Sequence, residues 1–296
     1  MMDRKPLLLL INPNAGRADI RAGLLAVCDT LSRGGYDVIV RPTTRAGEIE
    51  DILQEWHGRT DTVVACGGDG TLNETVNGLM RLSPRPVLGY IPGGTVNDFA
   101  SSLGIPKSPL EAAKAIVSGT PTGCDVGRFG SRYFSYIAAF GAFTEVAYQT
   151  PQGPKSVLGR TAYILEGIKR LPTLRSYHLK IETTDVCIED DYIFGMISNS
   201  TSVGGFKLND RHHVSLRDGL LELVLVKNPD NILALNDIIN SIATQNFSSD
   251  YVHFLRTSRV SVSSPDVISW TLDGEFGGAP QSITVEALRE AIQVII

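Results

Sequence analysis

The chain has 296 residues, which exceeds the usual size of a single domain and favours two. Hydrophobic residues make up 43% of it, enough for a sizeable core, and 32 acidic residues outnumber 27 basic ones. The formal charge of -5 argues against a general nucleic-acid binder, which needs a broad basic face. Any anion that the protein binds must therefore be held by local geometry.

Neither the cysteines nor the apolar runs indicate secretion or membrane insertion. The four cysteines are far apart and form no CxxC pair, which favours a reducing cytoplasm over a disulfide framework or a zinc site. The first apolar run stops at Pro13 after about five residues, too short for the core of a signal peptide. No stretch approaches the roughly 18 uninterrupted apolar residues of a membrane span, so we expect any membrane contact to be peripheral.

Short apolar runs alternate with helical patterns over the first 120 or so residues. Strands are predicted at Leu7–Ile11, Asp37–Arg41, Val63–Cys66 and Val87–Ile91. The helical patterns between them are ADIRAGLLAVCDTLSRGG, AGEIEDILQEWHG and TLNETVNGLMRL. Buried strands separated by helices imply a mostly parallel sheet covered on both faces. Ligands of such sheets bind at the C-terminal ends of the strands.

The pattern changes around residues 117–127, VSGTPTGCDVG. Beyond this point the chain is mainly strand-like, as in RYFSYIAAF, SYHLKIETTD, VCIEDDYIFGMISNS, LLELVLVK, VHFLRTSRVSVSS and DVISWTL. Two helical patterns interrupt these strands, SVLGRTAYILEGIKRL and DNILALNDIINSIATQ. The sequence therefore predicts an α/β protein whose second domain is β-rich and begins near residue 122.

Three glycine-containing turns each follow a predicted strand directly. They are NPNAG at 12–16, GGDGT at 67–71 and PGGT at 92–95. Glycine permits close approach of the backbone, and the N–H groups of a tight turn leading into a helix favour a phosphate. Loops of α/β proteins often contain glycine simply to turn, but three such turns on one sheet edge favour an anion site.

The central turn matches neither of the common nucleotide motifs. A G-x-G-x-x-G pattern read from Gly68 would need glycine where Asn73 stands, and no Gly-Lys-Ser/Thr follows. Thr71 and Glu74 have the T-x-x-E spacing of a helix capping box. Thr71 is therefore expected to cap the helix, to contact phosphate, or to do both.

Asp69 conflicts with a simple phosphate site. A carboxylate about 4 Å from a phosphate oxygen costs on the order of 4 kcal/mol at an effective dielectric near 20, more than a helix N-terminus typically returns. The arrangement is tolerable with a cation between the two groups. The alternative is that Asp69 points away and makes hydrogen bonds of its own, as in an Asx-type turn.

These segments together resemble the diacylglycerol kinase catalytic family of soluble bacterial lipid kinases, relatives of sphingosine kinases and more distantly of NAD kinases. The matching stretches are GGDGTLNETVNGL, LGYIPGGTVNDFASSLGIP, KSVLGRTAYILEGIKRL, LRDGLLELVLV and TLDGE, in the expected order over nearly the whole chain. The resemblance implies a nucleotide-binding domain over 1–121, completed by about 285–296, and a β-sandwich-like domain over 122–284. It places the active site in the cleft between them.

The resemblance also implies which residues hold ATP. The matching positions are Asn12, Pro13, Asn14, Ala15 and Gly16 in the first turn, Thr43, then Gly68, Asp69, Gly70, Thr71, Leu72, Asn73 and Glu74, and finally Thr95. Asn97 and Asp98 match a polar pair that in relatives joins a network of acids, water and metal.

A magnesium site is implied for the segment VSLRDGLLELVLV. Asp218 matches the carboxylate ligand, and Ser215 and Leu220 match residues that offer main-chain oxygen. One carboxylate with carbonyls and water suits magnesium. His212 and His213 depart from the family pattern. Neighbouring side chains of a strand point to opposite faces, so the two histidines cannot both face one ion. We therefore expect both to be surface residues.

The LDGE segment supplies two acids, which read alone would be exposed residues of a hairpin turn. In the family, the residue matching Asp273 is usually assigned as the base that takes the proton of the lipid hydroxyl, and the residue matching Glu275 lies beside the metal and phosphates. Glu275 stays a second candidate for the base. Arg17, Lys155 and Arg160 are candidate headgroup contacts, and the stretch SNSTSVGGFKLND, with Gly204, Gly205 and Phe206, is expected to line the cleft.

The sequence thus predicts a cytoplasmic, ATP- and magnesium-dependent kinase of diacylglycerol or a related lipid, in peripheral contact with a membrane. A kinase of NAD or another soluble metabolite is the first alternative, and a non-catalytic module that binds nucleotide or lipid is the second. No nucleic acid partner is expected, and a homodimer is left open.

Overall fold

The computed structural model describes residues 4–13, 19–141, 175–203, 206–207, 214–247 and 249–296. The strands are β1 Lys5–Ile11, β2 Tyr36–Pro42, β3 Thr62–Gly67, β4 Val87–Pro92, β5 Pro121–Phe129, β6 Arg132–Phe134, β7 Ile137–Gly141, β8 Tyr177–Glu182, β9 Cys187–Ser198, β10 Ser202–Val203, β11 Phe206–Lys207, β12 Leu221–Lys227, β13 Val252–Thr257, β14 Arg259–Ser263, β15 Trp270–Leu272, β16 Glu275–Gly278 and β17 Ser282–Ile295. The helices are α1 Asp19–Arg33, α2 Glu48–Glu55, α3 Asp69–Met80, α4 Asp98–Leu103, α5 Pro109–Ser118 and α6 Ile232–Thr244.

The first four strands form a parallel sheet in the order β4-β3-β1-β2. In β1 the four consecutive leucines, residues 7–10, are all fully buried. An uninterrupted apolar run is what a central parallel strand needs, because helices cover both faces of the sheet. Residues of α1, α2, α3 and α5 belong to the same core as these strands. The register pairs Ile11 with Cys66 and Gly67 with Pro92, so the strands end at a common edge.

The later strands are antiparallel and follow the order β16-β15-β7-β9-β8-β14-β17, with β12 paired to β9 and β13. Aromatic side chains dominate their core: Trp270 is fully buried and its ring lies 5.1 Å from that of Phe129 and 4.8 Å from that of Phe140, centroid to centroid. Such tilted ring pairs add to the stabilisation from buried area. Helix α6 packs against the other face, where Ile238 contacts a small separate core.

Strand β17 belongs to both parts of the molecule. It pairs antiparallel with β14 and β5, and near its end Val294 pairs with Leu88 of β4 in parallel. The pairing with β5 is irregular between Leu288 and Ile292, and Glu290 there has a left-handed φ of 44°. All strands except β10 and β11 are thereby joined in one hydrogen-bonded sheet.

The strands and helices predicted in the described parts of the chain are present, with two corrections. The run RYFSYIAAF is two strands, β6 and β7, interrupted at Ser135 and Tyr136. The run VHFLRTSRVSVSS is also two strands, β13 and β14, which Ser258 separates. The predicted helix at 156–171 lies outside the described residues. Within the residues that are described, no helix is long and apolar enough to cross a membrane.

Candidate active site

Two of the glycine turns pack backbone against backbone at the sheet edge. The amide of Gly93 donates to the carbonyl of Gly67 at 2.7 Å. A Cβ added to Gly94 would lie 3.0 Å from the Cα of Gly68, and one on Gly68 would lie 3.4 Å from the Cα of Gly94. A side chain at Gly94 would crowd the backbone of Gly68, whereas a Cβ at Gly68 would make only an ordinary contact. The close approach of the two turns therefore requires glycine at position 94.

Helix α3 begins at Asp69, directly behind the central turn, and Gly68 is its N-cap residue. The predicted capping box is wrong, because Thr71 is the third residue of the helix, and no side chain in the described part of the chain caps the helix. Thr71 is buried instead. The N-terminal amides of α3 are thus not used by a capping side chain, which suits a bound anion.

The next residues of α3 use their side chains away from the turn. Leu72 is fully buried in the first core, and its amide donates to the carbonyl of Gly68 at 3.1 Å. The carboxylate of Glu74 accepts a hydrogen bond from the amide of Gly47. Asn73 contacts the second half of the molecule. The assignment of these three residues to the nucleotide stays a prediction.

The other predicted nucleotide residues also have defined places. The amide of Asn12 donates to the carbonyl of Cys66 at 3.2 Å, so the start of the first turn lies beside the end of β3. Pro13 follows it and is partly buried. Thr43 lies at the end of β2, where its amide donates to the carbonyl of Ile11 at 2.8 Å. Thr95 is exposed in the turn after β4.

The carboxylate of Asp69 faces the start of α4. Its Oδ2 accepts a hydrogen bond from the amide of Asn97 at 3.0 Å, and its Oδ1 is buried without a partner among the described residues. Burial, together with the charge of the nearby Asp98, raises the pKa of Asp69 to about 6, although the amides of Asn97 and Asp98 act in the opposite direction. A buried carboxylate oxygen without a hydrogen-bond partner, in a group whose ionised form is disfavoured by burial, suits a bound cation.

Asn97 stabilises the turn that faces Asp69. It has left-handed φ and ψ of 55° and 55°, and its Oδ1 accepts from the amide of Gly94 at 2.9 Å while its Nδ2 donates to the carbonyl of Gly94 at 2.8 Å. Asparagine tolerates this conformation better than most residues do. Asp98 follows as the first residue of α4 and is 2% exposed. The predicted polar pair therefore lies beside the central turn.

Asp273 is buried between three segments. Its Oδ2 accepts from the amide of Ser135 at 2.6 Å and from Nδ2 of Asn73 at 2.7 Å. Its Oδ1 accepts from the amides of Tyr136 and Ile137, both at 3.0 Å. Burial raises the pKa of Asp273, and the four donors oppose that shift because they stabilise the ionised form. The interruption between β6 and β7 supplies two of these donors, Ser135 and Tyr136, and the first residue of β7, Ile137, supplies a third.

Asn77 joins the same network, although no sequence pattern assigned a role to it. Its Nδ2 donates to the carbonyl of Tyr133 at 2.9 Å, and its Oδ1 accepts from the Tyr133 amide at 3.0 Å. The Nδ2 also donates to Oδ1 of Asn73 at 3.2 Å. Asn73 and Asn77 are one helical turn apart, which places them on one face of α3 and could have indicated a shared partner. Together they hold α3 against β6.

Glu275 follows the turn between β15 and β16 that Asp273 begins, and it lies on the side of that turn opposite to Asp273. It is exposed at the start of β16, and its Oε1 is 3.7 Å from the position that a Cβ on Gly70 would take. Gly70 is the second residue of α3. Glu275 therefore lies near the beginning of the helix that follows the central glycine turn.

The segment predicted to bind magnesium forms a turn before β12. The Oδ1 of Asp218 accepts from the amide of Leu220 at 3.0 Å, and its Oδ2 accepts from Nη2 of Arg256 at 2.6 Å. Nε of Arg256 also contacts Oε1 of Glu222 at 3.2 Å. Glu222 is fully buried and its Oε2 has no partner in the described parts of the chain. Burial raises its pKa to about 7, against the effect of Arg256.

This turn contains oxygen ligands of the type that magnesium prefers. Asp218 presents a carboxylate, the unpaired oxygen of Glu222 is nearby, and the turn from Ser215 to Leu220 offers main-chain carbonyls. Among the residues that the structure describes, no three His, Cys, Asp or Glu side chains converge on one point. Main-chain oxygen and water would have to complete a magnesium shell there.

Family models match both halves of the chain. The model described as the diacylglycerol kinase catalytic domain matches residues 6–129. The model described as the YegS C-terminal NAD kinase beta sandwich-like domain matches residues 140–296. A diacylglycerol kinase from Bacillus subtilis (strain 168) is 34% identical over 272 residues, which cover 91% of this chain and 89% of that protein.

The chain belongs to the diacylglycerol kinase family. A diacylglycerol kinase from Staphylococcus saprophyticus is 32% identical over 280 residues, covering 93% of this chain and 90% of that one. The crystal structure of a diacylglycerol kinase from Bacillus anthracis str. Sterne superposes with a TM-score of 0.75 at 25% identity, covering 99% of this chain and 96% of that chain. A second crystal structure from the same organism gives a TM-score of 0.82 at 26% identity, with the same coverage.

These matches confirm the family predicted from the sequence, its two-domain α/β fold and the class of enzyme, a kinase acting on a lipid hydroxyl. The domain boundary near residue 121 stays a prediction. Several predicted site residues of this kinase lie outside the described residues, namely Asn14, Ala15, Gly16, Arg17, Lys155, Arg160, Gly204, Gly205, His212 and His213. Only the backbone of Phe206 is described, in β11.

Proposed function

We propose that this protein transfers the γ-phosphoryl group of ATP to the free hydroxyl of diacylglycerol and that it uses Mg²⁺. The proposal rests on one observation, which is that two different structural features lie next to each other. One is the uncapped start of α3 behind two packed glycine turns, which suits phosphate. The other is the acidic turn of Asp273 and Glu275, which contacts α3 from the second half of the molecule.

The residues around the central turn fit a metal-bound nucleotide. Asp69 has a buried oxygen without a hydrogen-bond partner in the described chain, and Asp98 lies nearby. Both carboxylates would repel phosphates that carried no cation. Magnesium bound at these oxygens would neutralise charge on the phosphates. We propose Asp218, with main-chain oxygens of Ser215 and Leu220, as a second place for the ion, away from the glycine turns.

The proposed reaction requires few chemical groups from the protein itself. Phosphoryl transfer needs alignment, charge stabilisation and an acceptor for the proton of the nucleophile. The lipid hydroxyl gives its proton to a carboxylate of the acidic turn, either Asp273 or Glu275, and its oxygen forms a bond to the γ-phosphorus. The bond from that phosphorus to the bridging oxygen breaks, and its electron pair leaves on ADP. We propose the amides at the start of α3, which no described side chain caps, as the groups that hold the phosphates.

The proposed substrate determines where the enzyme works. Diacylglycerol has two acyl chains and stays in a bilayer, because each buried CH₂ contributes about 0.8 kcal/mol. We therefore propose that the protein acts from the cytoplasm by peripheral contact with the membrane surface.

The test is an assay with ATP labelled on the γ-phosphate, Mg²⁺ and mixed micelles of dioleoylglycerol. Labelled phosphatidic acid is expected, and excess EDTA should lower its formation by about two orders of magnitude or more. Micelles of trioleoylglycerol are the matched control, since that lipid has the same chains and no hydroxyl. Absence of transfer to dioleoylglycerol, phosphatidylglycerol and sphingosine alike would contradict the proposal.

The two alternatives are separate outcomes of this experiment. Transfer of label to NAD with none to the lipids would favour a kinase of a soluble metabolite. Binding of ATP without transfer to any acceptor would favour a non-catalytic module.

A further inference from the structure

Tyr136 is a buried aromatic residue at the interruption between β6 and β7, and no sequence pattern gave it a role. Its amide donates to Oδ1 of Asp273 at 3.0 Å, and its carbonyl accepts from the amide of Asn199 at 3.0 Å. The residue is 8% exposed. Because both main-chain groups are held, the direction in which the side chain leaves the backbone is fixed.

The hydroxyl end of this ring lies near residues of both halves of the molecule. Its oxygen is 4.0 Å from the position that a Cβ on Gly274 would take, so it lies beside the acidic turn. Burial raises the pKa of the phenol well above its ordinary value, and the charges of Asp273, Asp69 and Asp98 raise it further. Such effects weaken with distance. The hydroxyl of Tyr136 therefore lies between the acidic turn and the carboxylates beside the central glycine turn.

This hydroxyl has no hydrogen-bond partner among the residues that the structure describes. The neighbouring phenol of Tyr90 differs, because its hydroxyl donates to the carbonyl of Gly67 at 3.2 Å. A buried phenol usually finds a partner, since an unpaired polar group costs free energy when it leaves water. Burial and the nearby carboxylates keep the Tyr136 phenol protonated. It is therefore a neutral donor that faces the place where the phosphates are proposed to bind.

We propose that the Tyr136 hydroxyl donates a hydrogen bond to a non-bridging oxygen of the γ-phosphoryl group of bound ATP. This inference rests on the proposed function. The amides at the start of α3 approach the phosphates from the first half of the molecule, and Tyr136 approaches from the second half. During transfer, negative charge is spread over the three equatorial oxygens of the phosphoryl group. A neutral donor stabilises that charge and adds none of its own.

The simplest alternative for this hydroxyl is a hydrogen bond within the protein. Oδ1 of Asp69 is buried without a partner in the described chain and is an acceptor in this region. A bond between the two would support the fold, so its loss would lower the melting temperature and leave nucleotide binding unchanged. A bond to the γ-phosphate has the opposite signature, because it is absent from the unliganded protein and from its complex with ADP.

The experiment compares the binding of two nucleotides to wild type, Tyr136→Phe and Tyr192→Phe by calorimetry with Mg²⁺. The nucleotides are ADP and AMP-PNP, in which an imido group replaces the oxygen between the β- and γ-phosphorus. For Tyr136→Phe we expect AMP-PNP to bind about 10- to 100-fold more weakly and ADP to bind within about twofold of wild type. Tyr192→Phe is the matched control, because Tyr192 is fully buried in the second core and its hydroxyl also lacks a described partner. Neither affinity should change in that variant.

Turnover and melting temperature complete the test. For Tyr136→Phe we expect kcat with dioleoylglycerol to fall about tenfold or more, with the KM for the lipid within about twofold and the melting temperature within about 2 °C of wild type. Unchanged affinity for AMP-PNP would overturn the assignment, whether the melting temperature falls or the KM for the lipid rises. Equal weakening of both nucleotides would overturn it as well.

Failure of the proposed function gives a different result. Wild type that binds both nucleotides and phosphorylates no lipid would contradict the lipid kinase activity, while the comparison of AMP-PNP with ADP would still decide the role of the Tyr136 hydroxyl. Wild type that binds neither nucleotide would overturn both proposals.

Discussion

The amide of Asn97 binds one oxygen of Asp69 at 3.0 Å and leaves the other oxygen buried without a partner in the described chain. This relationship combines the two explanations that the sequence allowed for a carboxylate in a phosphate turn. Asp69 does make a hydrogen bond of its own, and the oxygen that makes none is where we propose that a cation binds. Burial, together with the charge of Asp98, raises the pKa of Asp69, so the ionised carboxylate lowers the stability of the folded chain.

Asp69→Asn should separate stability from activity. Asparagine keeps an acceptor for the Asn97 amide and removes the charge, so we expect kcat to fall about 100-fold while the fold is retained. In the absence of magnesium we expect the variant to be more stable than wild type at pH 7 by about 1–2 kcal/mol, after allowance for partial exposure. Activity against magnesium concentration and urea denaturation in EDTA are the measurements.

The sign of the pH dependence follows from the raised pKa. Below about pH 4 the Asp69 carboxyl is protonated in both folded and unfolded chains, and no cost arises. As the pH rises from about 4 to about 6, the unfolded chain releases this proton more readily, so the free energy of unfolding falls. The gap between wild type and Asp69→Asn should therefore open over that range. A gap of constant size would contradict the role given to burial.

Arg256→Met should destabilise the turn around Asp218. It leaves the fully buried Glu222 without its ion-pair partner, which typically costs about 3–5 kcal/mol. The loss should be larger at about pH 8 than at about pH 5, because Glu222 is neutral at low pH. Arg259→Met is the matched control: Arg259 pairs with Glu286 at the surface, and its loss should cost about 1 kcal/mol or less. Urea denaturation at both pH values tests the difference.

Gly67→Ala should damage the central turn. The added Cβ would lie 2.7 Å from the Cβ of Thr71, so the start of α3 must shift at a cost of about 1–3 kcal/mol. We expect ATP to bind at least about tenfold more weakly, measured by calorimetry. Gly23→Ala is the control, since no atom of the described residues lies within 4 Å of its added Cβ in α1. Alanine there should stabilise the helix by up to about 1 kcal/mol and leave ATP affinity unchanged.

Removing residues 291–296 should prevent folding of the first parallel sheet. The deletion removes Ile292, Val294 and Ile295, all buried in the first core, and each such side chain contributes about 1.5–3 kcal/mol. Their sum is comparable with the whole stability of a typical domain. Circular dichroism and thermal unfolding are the measurements. Ile296→Ala, at a residue 40% exposed, is the control, and a cooperatively folded deletion variant would contradict the proposal that this segment completes the first domain.

Local patterns predicted the frame of this molecule well. The leucines of β1 form an unbroken apolar run, and only a strand covered on both faces requires one, so the parallel sheet and its ligand edge could be inferred. The capping box failed because the T-x-x-E spacing of Thr71 and Glu74 is also compatible with two residues inside a helix, one facing the core and one bonded to Gly47.

The remaining part of the site depends on contacts between distant residues. The hydrogen bond from Asn73 to Asp273 joins residues 200 positions apart. Arg256 meets Glu222 because the register of β12 and β13 places them opposite each other. Neither pairing leaves a periodic trace in the sequence. The sequence can show that a turn contains an acid suited to catalysis. The burial of that acid and its hydrogen-bond donors, which depend on distant residues, decide which role it has.

Strand β17 pairs with strands of both parts of the molecule, and this pairing has a consequence for biosynthesis. Val294 is the residue of β17 that pairs with β4, and it is made after every other strand of the sheet. During translation this edge of β4 stays unpaired until β17 has been synthesised, although β1, β2 and β3 emerged long before. An unpaired strand edge invites association with other chains. The nascent kinase should therefore depend on chaperones until its last strand closes both domains at once.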